Sequence, residues 1–123
     1  MPTEPLRIVI VEDDASMSQA IERVLQAGGF AALPFASAEA VLEAGAAADG
    51  LVLDIHLPGM SGFDLYRRLA LFDKALPVIF ITARDESAVR EEAEGLAGAG
   101  SYLPKPFSGH DLLDALAGAL RPP

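Results

Sequence analysis

The sequence contains no cysteine, which removes disulfides, thiolate metal sites and cysteine nucleophiles from consideration. Basic residues are scarce: nine Lys and Arg stand against 18 Asp and Glu, a formal net charge of −9. Nucleic acid calls for a basic footprint, and anionic lipid attracts basic segments; neither suits this chain. Long apolar runs are missing too. Every run falls far short of the ~20 residues that cross a bilayer, and residues 1–6 lack the charged and apolar regions of a signal peptide. The expectation is a soluble, cytoplasmic protein with no nucleic-acid or membrane contact of its own.

What is present fits a globular chain. Of 123 residues, 51% are hydrophobic and 22% charged, too apolar for disorder. That length suits a single domain over 1–123, burying roughly two thirds of its unfolded surface. Apolar pulses recur at 6–11 (LRIVIV), 51–55 (LVLDI) and 77–82 (PVIFIT), with weaker ones at 30–35 and 101–103. Short, near-continuous and rich in β-branched residues, they read as strands covered on both faces.

Between them the period becomes helical. Met17, Ala20, Ile21, Val24 and Leu25 form one stripe, closed by Gly28-Gly29. Ser37 caps an expected helix over 38–46, and Ser61 caps a third with Phe63, Tyr66, Leu69 and Ala70 inward. A fourth spans 87–96, with Val89, Ala93, Leu96 and Ala97 as its stripe. Ser108, with Asp111 three residues on, opens a fifth that carries Leu112, Leu113, Leu116 and Leu120. Five strands alternating with five helices predict βαβ crossovers, a parallel sheet and helices on both faces. Gly95 and the 98–100 stretch weaken the fourth helix, either as a fraying end or as a soft element that moves.

In such folds ligands bind outside the carboxyl ends of the strands, so the residues following each strand matter most. The first strand empties into Glu12-Asp13-Asp14, the third ends in Asp54, the fourth ends at Thr82, and the fifth leads to Lys105-Pro106. Singly, each has an ordinary reading: a solvated loop, a helix cap, a β-branched strand residue, a loop lysine. Together they bring carboxylates, a hydroxyl and an ammonium to one edge. Clustered carboxylates stay ionised only beside a cation, and an all-oxygen set favours Mg²⁺. A carboxylate beside such a metal can attack phosphorus. Lys105 and Thr82 would then meet the added charge, and the small Ala83 leaves the mouth open.

Glu12-Asp13, Asp54 within DIHLPGMSG, Thr82-Ala83 and Lys105-Pro106-Phe107 closely resemble the receiver domain of two-component response regulators, over essentially the whole chain. The resemblance implies a flavodoxin-like (βα)5 three-layer sandwich with strand order 2-1-3-4-5. It makes Asp54 the phosphoacceptor and Glu12 and Asp13 the acidic pair for Mg²⁺, with Asp54 and the His56 backbone carbonyl as further ligands. It makes Thr82 the switch hydroxyl, Tyr102 the switch aromatic and Lys105 the lysine that pairs with phosphate, followed by a cis peptide at Pro106. The implied partner is a histidine kinase or histidine phosphotransfer protein. The implied output is a change at the fourth helix, fifth strand and fifth helix, a face that also allows a homodimer. Chemistry is limited to self-catalysed phosphoryl transfer and autodephosphorylation.

The acidic triplet admits two registers; aligning Met17 favours Glu12-Asp13 and leaves Asp14 outside. A receiver fold that signals without phosphorylation is disfavoured by the full set Asp13, Asp54, Thr82 and Lys105. A haloacid-dehalogenase-type phosphatase needs an acid two residues after the nucleophile, where this sequence has His56. A His56 metal site is disfavoured because the other candidate ligands are oxygens. Met60, Phe63 and Tyr66 read as packing residues, with Met60 close enough to Asp54 to touch a partner.

Overall fold

The three strongest apolar pulses are buried on both faces, as central strands of a parallel sheet are. A computed structural model describes residues 4–45, 47–72 and 76–121. In chain order the elements are β1 (Arg7–Val11), α1 (Ala15–Ala27), β2 (Ala31–Phe35), α2 (Ala38–Ala44), β3 (Gly50–Asp54), α3 (Gly62–Phe72), β4 (Val78–Thr82), α4 (Ser87–Ala97), β5 (Tyr102–Pro104) and α5 (Gly109–Leu120). The strands pair in parallel in the order β2-β1-β3-β4-β5. This is the flavodoxin-like α/β architecture expected from the sequence.

Alternating side chains of the same strands feed two separate cores. Val9, Val11, Leu51, Leu53, Val78 and Phe80 pack with residues of α2, α3 and α4. Ile8, Ile10, Val52, Ile79 and Ile81 pack with α1 and α5. Phe80 anchors the first core, meeting Phe63 edge-on at 4.9 Å and Tyr66 at 5.5 Å between ring centroids.

Four of the five helices begin where a side chain satisfies a free N–H group, whereas α4 starts after Glu86 with no side-chain cap. Asp14 caps α1, Ser37 caps α2, and Ser61 accepts the Asp64 N–H at the start of α3. Ser108 and Asp111 form a reciprocal capping box on α5. Strand ends differ from expectation by a single residue: β1 starts at Arg7, β2 at Ala31, β3 at Gly50 and β4 at Val78, while β5 runs on to Pro104. The second helix stops at Ala44, short of the expected Ala46, because Gly45 caps it in the left-handed region; residue 46 itself, and the expectations for residues 1–3 and 122–123, lie outside the described residues.

Two inward faces differ from the hydrophobic stripes. In α1, Ala20 is exposed and Ser18 is buried beside Ile21 and Leu25, because the face centres on 18-21-25. In α3, Leu65 is fully buried beside Tyr66. Gly95 lies inside α4, whereas residues 98–100 lie past it, with Gly98 and Gly100 at φ +94° and +86°. That region suits glycine.

Candidate functional site

Register places the chemistry at one edge of the sheet. Val11 pairs with Leu53, Asp54 with Ile81, and Thr82 with Pro104. Glu12, Asp54, Thr82 and Lys105 therefore emerge side by side from β1, β3, β4 and β5. One carboxylate oxygen from each of Glu12, Asp13 and Asp54 lies within 4.8 Å of the others. Glu12 and Asp54 are buried, at 2% and 5% exposure, while Asp13 faces solvent.

Both buried carboxylates are held in place. Glu12 Oε2 accepts the Asp14 N–H at 3.1 Å, and Asp54 Oδ1 accepts the His56 N–H at 3.0 Å. Lys105 Nζ donates to Glu12 Oε1 at 2.7 Å and lies 3.4 Å from Asp54 Oδ2. The ammonium thus sits closer to Glu12 than to Asp54.

Charges in this corner perturb one another. Burial raises the Glu12 carboxyl above its ordinary value, and Asp54's charge adds to the rise. The hydrogen bonds from Lys105 and Asp14 only partly oppose it. Burial would lower the Lys105 ammonium, but the Glu12 hydrogen bond and the charges of Asp54 and Glu12 outweigh that and raise it. Burial thus works against the charged form of both groups, and their mutual attraction opposes it.

The remaining expected residues fall around this centre. Asp14 is outside the cluster; its Oδ1 accepts the Met17 N–H at 3.1 Å as the cap of α1. Of the two registers of the acidic triplet, the cluster takes Glu12 and Asp13 and leaves Asp14 as the helix cap. His56 is exposed and meets Asp54 through its backbone N–H. Thr82 is fully buried, and its hydroxyl donates to the Arg84 carbonyl at 3.1 Å and accepts the Arg84 N–H at 3.0 Å. The Lys105–Pro106 peptide is cis. Met60 is half-buried against the core, and Phe63 and Tyr66 are buried within it.

Tyr102 is buried beneath α4. Its hydroxyl accepts the Glu86 N–H at 3.2 Å and faces the Arg84 carbonyl at 3.2 Å and Asp85 Oδ1 at 3.1 Å. The Arg90 guanidinium lies 4.7 Å above its ring centroid. Burial raises the Tyr102 phenol above its ordinary value, and Asp85 adds to the rise. Sequence reasoning did not single out Arg84, Asp85 or Arg90. Arg84 acts through its backbone, which every residue has, so no side-chain pattern could mark it.

The donor set suits a small hard cation. Three carboxylates, two of them buried, face one ammonium, and every candidate ligand atom is oxygen. Such a set fits Mg²⁺.

Comparison with known proteins agrees with this arrangement. Residues 8–117 match the family described as "Response regulator receiver domain". Response regulator MprA of Mycobacterium sp. (strain KMS) is 38% identical over 120 residues, covering 95% of this chain and 51% of that protein. The chain spans about half the length of such curated relatives. A response regulator receiver protein from Burkholderia phymatum superposes with a TM-score of 0.80 at 39% identity, covering 94% of both chains. The BeF3-activated DrrB receiver domain superposes with a TM-score of 0.85 at 26% identity, covering 94% of this chain and 97% of that one.

Proposed function

The chain belongs to the response regulator receiver domains, and from that premise we propose that it accepts a phosphoryl group on Asp54 from a phosphohistidine donor. Receiver domains are phosphoaccepting signalling units rather than conventional enzymes. The observation that carries the reading is the environment of Asp54. Its buried carboxylate ends β3, meets the Lys105 ammonium and the His56 N–H, and shares a corner with Glu12 and Asp13.

In this reading Glu12, Asp13, Asp54 and the His56 backbone carbonyl hold Mg²⁺. When bound, the cation neutralises charge on the phosphoryl oxygens and on the crowded carboxylates. An Asp54 carboxylate oxygen forms the new O–P bond as the donor's N–P bond breaks and its imidazole leaves. Lys105, already poised between Glu12 and Asp54, pairs with the phosphoryl oxygens. The product is an acyl phosphate, which water removes by autodephosphorylation.

Thr82 and Tyr102 are the proposed switch. Both hydroxyls face the Arg84 carbonyl, at 3.1 and 3.2 Å. A phosphoryl group brings roughly −1.5 to −2 charge and three strong acceptors, which draw the Thr82 hydroxyl away from that carbonyl. Tyr102 then holds the β4–α4 loop alone, and the exposed face of α4, β5 and α5 changes. The partner is a histidine kinase or histidine phosphotransfer protein, in the cytoplasm. The same face is available for a homodimer, and residues 1–123 act as one receiver unit.

Intact mass after incubation with Mg²⁺ and acetyl phosphate tests the acceptor. One labile phosphoryl adduct is expected, and Asp54→Asn should abolish it. A full adduct on that variant would place the acceptor elsewhere.

A further inference from the structure

The loop after Asp54 is gripped by a residue from another element. Glu39, in the first turn of α2, accepts the Met60 N–H on Oε2 at 3.0 Å, across 21 residues of sequence. The same carboxylate lies against Gly59, whose φ is +77°; a Cβ built there would come within 2.8 Å of Oε2. The turn has closed on the carboxylate, and its positive φ favours glycine at this position. The Met60 N–H, and secondarily Glu39's own N–H, hold the Glu39 carboxyl below its ordinary value.

Elsewhere the loop is pinned at its roots. Ile55 donates its N–H to Ile81 at 2.9 Å, and Gly62 donates to Ile55 at 3.1 Å. His56 donates to Asp54 Oδ1. Leu57 and Met60 pack on the core, but Pro58 and Gly59 at the crest are exposed. The path between His56 and Met60 is therefore set by roots, two packed side chains and the Glu39 clasp.

We propose that Glu39 is a positioning residue for phosphoryl transfer, fixing the loop that carries the His56 backbone against Asp54. The inference rests on the receiver reading, which gives the His56 carbonyl to the cation. An alternative role for an acidic residue in a helix's first turn is to offset the helix dipole. The two differ in what they require: the clasp needs an acceptor oxygen, whereas the dipole needs a charge.

The experiment uses the full chain, isotopically labelled, as wild type, Glu39→Ala and Glu39→Gln. Hydrogen exchange at the Met60 amide is read without metal. Mg²⁺ affinity is then read at the His56 amide, and beryllofluoride adduct formation with Mg²⁺ follows. Glu39→Ala should speed Met60 exchange and weaken Mg²⁺ about two- to tenfold, the range one hydrogen bond spans, with an unchanged melting temperature. Glu39→Gln keeps an acceptor oxygen and should stay within about twofold of wild type. Wild-type behaviour in Glu39→Ala overturns the clasp. So does equal loss in both variants, which would assign the effect to charge, and so does a loss that only tracks a lowered melting temperature. A wild type that forms no Mg²⁺-dependent beryllofluoride adduct would instead overturn the receiver reading beneath it.

Discussion

Gly62→Ala separates two physical effects that usually act together. Gly62 opens α3 and has no positive φ, so its backbone suits alanine. Conformational entropy alone predicts stabilisation by about 0.4–1 kcal/mol. The neighbouring backbone predicts the opposite. A Cβ on Gly62 would lie 3.0 Å from the Asp54 carbonyl carbon and 3.2 Å from Ile55 Cα, and closer still to the Asp54 carbonyl oxygen. Those are backbone atoms of Asp54, at the end of the fully buried β3, and of Ile55 just past it, and they cannot rotate aside as a side chain would. The start of α3 must retreat, straining the Gly62–Ile55 hydrogen bond. Overpacking of this kind costs about 1–3 kcal/mol, which outweighs the entropic gain, and for a chain of this size lowers the melting temperature by ~3–10 °C. Gly118, in α5 with nothing within 4 Å of a built Cβ, is the control: Gly118→Ala should stabilise by up to about 1 kcal/mol. Thermal and urea unfolding measure both, and Mg²⁺-dependent beryllofluoride binding reports any displacement of Asp54. Gly62→Ala as stable as Gly118→Ala, with undiminished binding, would refute the reasoning.

Asp13→Ala should weaken Mg²⁺ binding and slow phosphorylation far more than Asp14→Ala, which should instead lose about 1 kcal/mol of α1 capping; metal titration and urea unfolding would reveal the reverse order. Thr82→Ala should still be phosphorylated but show a reduced amide-shift response in residues 87–96 and 101–103 on adding Mg²⁺ and beryllofluoride. A full response there would exclude Thr82 from the coupling. Because the Lys105 ammonium titrates above its ordinary value, its contribution is complete below the unfolded value of ~10.4 and lost as pH rises through the folded one. Lys105→Met should therefore flatten the alkaline fall in stability relative to wild type, measured by urea unfolding at successive pH values.

The sheet was legible because its strands announce themselves: short apolar pulses have few alternatives once helical stripes separate them. Helix starts were equally legible, since Ser37, Ser61 and Ser108 cap in the way their chemistry favours. The inward faces of α1 and α3 were less so. Hydrophobicity could not find Ser18, a polar residue that the 3.6-residue period turns inward beside Ile21 and Leu25. At the site, strand-end position was enough to gather Glu12, Asp13, Asp54, Thr82 and Lys105 at one edge. What it could not supply was which partner each takes. That Lys105 lies nearer Glu12 than Asp54, and that Asp14 turns to cap α1, follow from side-chain geometry.

The Arg84 carbonyl also gives the proposed switch a point where two residues from different strands meet. Thr82 reaches it from the end of β4, and Tyr102 reaches it from β5. A carbonyl has two lone pairs and can serve both, so neither hydroxyl excludes the other. Removing the Thr82 contact leaves the loop held through Tyr102: the Glu86 N–H on the phenol, Asp85 beside it, and Arg90 over the ring. The neutral hydrogen bonds and the cation–π contact are modest, about 1 kcal/mol or less each. The loop's two arrangements therefore need differ by only a few kcal/mol, a gap that a phosphoryl group's charge-assisted hydrogen bonds can reverse. A deeper tie, such as a buried ion pair between α4 and the sheet, would have made α4 too firmly seated to respond. In the proposed switch, the weakness of the individual contacts would let a change at Asp54 reach the surface of α4.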